Sequence, residues 1–131
     1  MAKTLSKTQK KIDTQLCKTL QDCCENHLKN LEGFTWITHQ ADYANFPASL
    51  LISCIFTTDA NINTVQDSDS ALVIKQHIQQ KLLKSGVRLK DVRHQIRFDS
   101  EEACERDHGG NWTTRLSNLA GSSVPKNRPS R

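Results

Sequence analysis

The sequence predicts an α+β domain with elements in the order α-β-β-α-β-α, a small three-stranded mixed sheet packed by helices. Three observations carry this. Pro47 to Thr58 is the most apolar short span in the chain, with Leu50, Ile52, Cys54 and Phe56 on one strand face and Leu51 and Ile55 on the other. Side chains alternate across a strand, so apolar residues at both parities require cover on two sides. Two stretches, from about Ser6 to Glu32 and from about Asp67 to Ser85, repeat apolar residues every three or four positions, the period of an amphipathic helix. Between the first helix and the apolar span, Phe34 to Tyr43 alternates aromatic and β-branched residues, as the first arm of a hairpin does.

In chain order, the first helix has Ile12, Leu16, Leu20, Cys23 or Cys24, His27 or Leu28, and Leu31 on its apolar stripe, Thr4 or Ser6 to cap it and Gly33 to end it. Helix spacing makes it roughly 40 Å long, more than a narrow sheet covers, which predicts a homodimer formed through this helix or an open sheet edge. Asp42 to Pro47 supplies the hairpin turn, and Asp59 to Asp67 reads as a polar connection. The second helix sets Ala71, Ile74, Ile78 and Leu82 inward, is capped by Asp67, Ser68 or Asp69, and stops at Ser85-Gly86. Val87 to Asp99 is expected to be the crossover strand. Ser100 then caps a short helix with Glu101 and Glu102 in its first turn. Asn111 to Leu119 forms a last helix, with Trp112, Leu116 and Leu119 on one side. The domain is expected to span 1–120 and to be followed by a disordered basic tail over 121–131.

A chain of 131 residues is one domain by length and large enough for its own core. The net charge of +4 is unevenly placed: Lys3, Lys7, Lys10 and Lys11 at one end and Lys126, Arg128 and Arg131 at the other leave −3 for residues 12–120. Basic ends suit nucleic acid, an acidic partner or plain solubility. No window has the apolar length of a membrane span, and the N-terminus lacks a secretory apolar stretch, so a cytoplasmic location is expected. The five cysteines are an odd number without a CxxC pair, which in a reducing compartment reads as free thiols.

Arg97 to Trp112 is the densest collection of reactive side chains. Cys104 and His108 lie four apart, a helical spacing that serves two metal ligands, with His39, His94 or Cys54 as the residues able to complete a set. Asp99, Glu101 and Glu102 beside Lys90 or Arg97 raise a metal-dependent nuclease or hydrolase as the alternative function. Against catalysis, the chain has no GxSxG, no glycine-rich phosphate loop and no HExxH. Arg88, Lys90, Arg93 and Arg97 form a basic run that could face phosphates as a cationic strand edge.

Asn45-Phe46-Pro47-Ala48-Ser49-Leu50 in the hairpin and Phe98-Asp99-Ser100-Glu101-Glu102-Ala103-Cys104-Glu105 near the end resemble a small bacterial α+β family without an established activity. Some of its members are labelled Fis-type transcriptional regulators, and Gly110 to Gly121 is similar to the first helix and turn of that helix-turn-helix. The resemblance implies DNA binding, but a helix-turn-helix also needs a recognition helix after the turn. Here Ser122 to Arg131 holds Pro125 and Pro129, and proline inside a helix costs about 3 kcal/mol. No DNA-contacting residue is therefore carried over. The leading expectation is a non-enzymatic cytoplasmic binding or regulatory module without a cofactor, its partner a protein or a nucleic acid.

Overall fold

The central apolar span forms strand β2 (Leu51–Phe56), and every other element is arranged around it. The computed structural model describes residues 6–120, with side chains through Ser117. The tail at 121–131, Lys3 and the Leu119 side chain lie outside the described residues. Strand β1 (Phe34–Gln40) pairs antiparallel with β2, and β3 (Ile96–Ser100) pairs parallel on its other edge, giving the order β1-β2-β3. The mixed sheet and the α+β class are as the sequence predicts.

Both faces of β2 are covered. Ile52, Cys54 and Phe56 enter the main core with Leu16, Leu20, Ile74, Ile78, Leu82 and Ile96. On the opposite face Ile55 joins Cys104, Trp112 and Leu116, with Trp36 packed against them. Helices thus lie on both sides of the sheet.

Helix α1 (Lys7–Cys23) starts with a reciprocal cap: Gln9 N donates to Ser6 Oγ, and Ser6 N donates to Gln9 Oε1. It is shorter than the uninterrupted helix expected from periodicity. A π-helical turn, Cys24–Leu28, follows, closed by Lys29 N donating to Cys24 O at 2.9 Å. The wider turn absorbs an extra residue, so Cys23 and Leu28 both reach the core although five positions separate them. Leu16 and Leu20 are 1% and 2% exposed. The middle of the stripe whose length suggested an interface is thus buried within its own chain, while Ile12 and Leu31 are partly buried.

Gly33, at φ +82°, makes the corner into β1, and its carbonyl accepts from Thr57 N at 2.8 Å. A Cβ there would collide with the Asn61 side chain. A left-handed residue other than glycine costs about 1–2 kcal/mol, and a disturbed helix cap about 1 kcal/mol more. Gly33→Ala is therefore expected to lower stability by about 2–3 kcal/mol in urea unfolding. A loss under about 0.5 kcal/mol would refute the close approach.

Strand β1 departs from strict alternation. Phe34 pairs with Phe56 but Trp36 pairs with Ile55, so Thr35 is an extra residue in a bulge. The bulge sends Phe34 to the main core and Trp36 to the other face, whereas alternation alone places them together. Asp59 to Asp67 is a second departure: it is helix α2, not a polar connection. Thr58 and Asn61 cap it reciprocally, Asn61 N to Thr58 Oγ1 and Thr58 N to Asn61 Oδ1, both at 3.1 Å, and Val65 and Ile62 seat it on the core.

Helix α3 (Ser70–Lys84) buries Ile74, Ile78 and Leu82 as expected. It ends with Gly86 N bonded to Leu83 O and Val87 N to Leu82 O, the paired bonds of a glycine-terminated helix. The crossover is not extended from Val87 onward: a short helix α4 (Val92–Gln95) precedes β3. Ser100 Oγ caps α5 (Glu101–His108) by accepting from Ala103 N, and α6 (Trp112–Ala120) follows Gly109 and Gly110. No helix among the described residues is long and apolar enough to cross a membrane.

Candidate functional site

Strand β3 and helices α5 and α6 bring the reactive segment together, and the structure shows what each group does there. Asp99, 3% exposed, lies under Arg115, which donates Nε to Oδ2 at 2.7 Å and Nη2 to Oδ1 at 2.8 Å. Arg97 adds Nη2 at 2.9 Å and reaches Ser53 Oγ with Nη1. Burial alone would raise the Asp99 carboxyl, but hydrogen bonds from Arg115 and Arg97 outweigh it and hold the group below the ordinary carboxylate value. Arg115 also bonds Ala103 O and Asp107, and lies 3.3 Å from His108 Nδ1.

The two glutamates are equally engaged. Glu101 accepts from Trp112 Nε1 at 2.7 Å and from Trp36 Nε1 at 2.9 Å, while Glu102 accepts from Asp59 N. Asp59 in turn accepts from Ser100 Oγ and Arg106. These carboxylates join α2, β3, α5 and α6 through donors that already occupy them. They do not form the acid cluster that a divalent cation needs.

Cys104 is fully buried beside Ile55, Trp112 and Leu116, and burial pushes its thiol up. Among the described residues, the group of three or more side chains placed to share a metal ion is Asp13, Cys17 and His39, which includes neither Cys104 nor His108. Among the described residues, no third side chain is grouped with the Cys104–His108 pair. The basic run is also divided. Arg88, Lys90 and Arg93 are exposed, the first two alternating with buried Val87 and Leu89 in a loop and not in a strand edge. Arg97 is turned onto Asp99 and Ser53, on the face covered by α5 and α6.

The cluster that sequence reasoning missed lies on the other side. Asp13 and Cys17 are one turn apart on α1, and β1 sets His39 opposite them. His39 Nε2 is 2.9 Å from Asp13 Oδ1, which also accepts from Tyr43 Oη at 2.7 Å. Burial works to raise the Asp13 carboxyl, yet the Tyr43 and His39 hydrogen bonds and the His39 charge hold it below the ordinary value. Burial and the Asp13 charge push the Cys17 thiol up. His39 Nε2 is engaged by Asp13, so the trio does not have the form of an activated thiol–imidazole nucleophile. The sequence signal was present in Asp13-x-x-x-Cys17, a ligand spacing on a helix, but its partner is 22 residues beyond Cys17.

A groove of about 410 Å³ lies between α1 and the end of α3, lined by Ile12, Leu16, Phe46 and Val87, with Lys11 as its ionisable residue. It offers no acid–base pair. The surface of α3 differs: Leu72, Val73 and Leu83 are 60%, 44% and 55% exposed.

Comparison with known protein families, curated proteins and solved structures finds no match to this chain.

Proposed function

We propose that this chain is a non-enzymatic binding module that acts as a homodimer and makes its protein contacts through the outer face of α3. The observation that carries this reading is the order of side chains on that face. Leu72, Gln76, Gln79 and Leu83 follow one another at steps of four, three and four residues, so they share one stripe. The stripe reads the same in both directions. A second α3 laid antiparallel about a twofold axis near residues 77 and 78 sets Leu72 of one copy against Leu83 of the other and glutamine against glutamine. Such self-complementarity is what an isologous interface requires. Burying a leucine contributes about 1.5–3 kcal/mol, and this arrangement buries two from each copy.

The internal engagement of Asp99, Glu101 and Glu102 supports a role without catalysis. The five free cysteines suit a cytoplasmic location, which is part of the proposal. Light scattering at micromolar concentration is expected to give twice the chain mass of 14.8 kDa. The Leu72→Lys/Leu83→Lys pair is expected to give the monomer with an unchanged circular dichroism spectrum. A monomeric unsubstituted chain overturns the dimer. Binding to mixed DNA or RNA that falls steeply with salt and is lost on Arg88→Glu/Arg93→Glu would instead assign the function to the exposed cations.

A further inference from the structure

We propose that Asp13, Cys17 and His39 form a binding site for a single Zn²⁺ ion, which fastens α1 to the edge strand β1. The three side chains offer a carboxylate oxygen, a thiolate sulfur and an imidazole nitrogen, the donor types that zinc takes. Their ligand atoms all lie within 4.8 Å of one another. Zinc bonds of about 2.3 Å to sulfur and about 2.0–2.1 Å to nitrogen and oxygen place tetrahedral donors roughly 3.2–3.6 Å apart. Closing around the ion therefore needs side-chain shifts of about 1 Å, without movement of the helix or the strand.

The surroundings match the demands of such a site. Asp13 and Cys17 point from one face of α1 because they are one turn apart, and the His39 side chain is 12% exposed. Tyr43 Oη holds the Asp13 carboxylate, the kind of outer support that orients a ligating carboxylate. Cys17 is exposed, which gives the ion a route from solvent and leaves the fourth position to water. The ion takes the place of the direct contact between His39 Nε2 and Asp13 Oδ1, and any proton held there leaves to solvent. Cys17 gives its thiol proton to solvent, and His39 binds through the Nε2 lone pair with its remaining proton on Nδ1. Affinity must therefore rise with pH.

The test uses the full chain, reduced and stripped of metal, with Co²⁺ as the spectroscopic probe and Zn²⁺ as competitor. One equivalent of Co²⁺ is expected to produce a thiolate-to-metal charge-transfer band and the intense visible bands of four-coordination. One equivalent of Zn²⁺ should abolish both and raise the melting temperature. Cys17→Ser, at an exposed position, should lose the charge-transfer band while folding normally. Tyr43→Phe should keep the band and weaken Zn²⁺ binding by about 10- to 100-fold. His94→Gln, at an exposed histidine outside the cluster, should change neither. Absence of the band in the unsubstituted chain overturns the proposal, and so does a band that survives Cys17→Ser, which would place the metal on another thiol.

Discussion

Asp99→Asn is expected to remove about 3–5 kcal/mol of folding stability, the usual cost of taking one partner from a buried ion pair. The substitution keeps the shape of the side chain and discards its charge. Arg97 and Arg115, whose side chains are 22% and 14% exposed, then face a neutral amide across the contact that had neutralised them. A small domain is stable by only about 5–15 kcal/mol, so urea unfolding should show the loss as a large drop in midpoint. A loss below about 1 kcal/mol would show that the guanidinium groups hydrate freely and that the pair is not a buried one.

The same residue sets an acid dependence. Asp99 titrates below its ordinary value in the folded chain, so the unfolded chain binds the proton more readily. Its contribution is present above the unfolded carboxyl value, about 3.9, and is lost as pH falls from there through the lower folded value. The Asp99→Asn chain should lack that part of the acid slope.

Trp112→Ala is expected to cost about 3–5 kcal/mol, in the range for a large side chain removed from a core. Trp112 is 1% exposed and meets the Trp36 ring edge-on, at 5.1 Å between centroids. It is also a main anchor of α6, with Leu116 beside it in the smaller core. Truncation leaves a cavity beneath α6 and deprives Glu101 of one donor. Trp112→Phe separates the two effects, because it refills much of the space and omits only the indole N–H. A hydrogen bond to a carboxylate contributes about 1.5–3 kcal/mol, so the phenylalanine chain should recover part of the loss and no more. Should Trp112→Ala unfold within about 1 kcal/mol of the unsubstituted chain, the second face of the sheet would not be a cooperative part of the fold.

Both substitutions act on a segment whose chemistry was visible in the sequence while its use was not. Asp99, Glu101 and Glu102 invite a metal because carboxylates close in sequence resemble a ligand set. The competing partners are Arg115, Trp36 and Trp112, and Trp36 is 65 residues from Glu101. No local spacing announces such a contact. The metal reading of Cys104 and His108 meets the same limit: the two share a helix, but a third donor has to come from elsewhere in the fold, which local spacing does not announce. Asp13 and Cys17 share a helix too, and there β1 supplies His39.

What the sequence determined by itself is local. The continuous apolar span of β2, the apolar stripe of α3, the Ser100 cap and the stop at Gly86 were legible because each rests on neighbours within about one helical turn or one strand pleat. Helix α2 escaped because Asn61 closes its capping box and only Ile62 and Val65 mark its apolar side. Tertiary structure decided the rest. The bulge at Thr35 assigns Trp36 to the second face, the π-helical turn selects Leu28 over His27 for the core, and the parallel register of β3 on β2 carries Arg97 and Asp99 beneath α6. A one-residue shift in a strand moves a side chain from one face to the other. The faces are therefore settled by packing between distant segments, which local periodicity does not record.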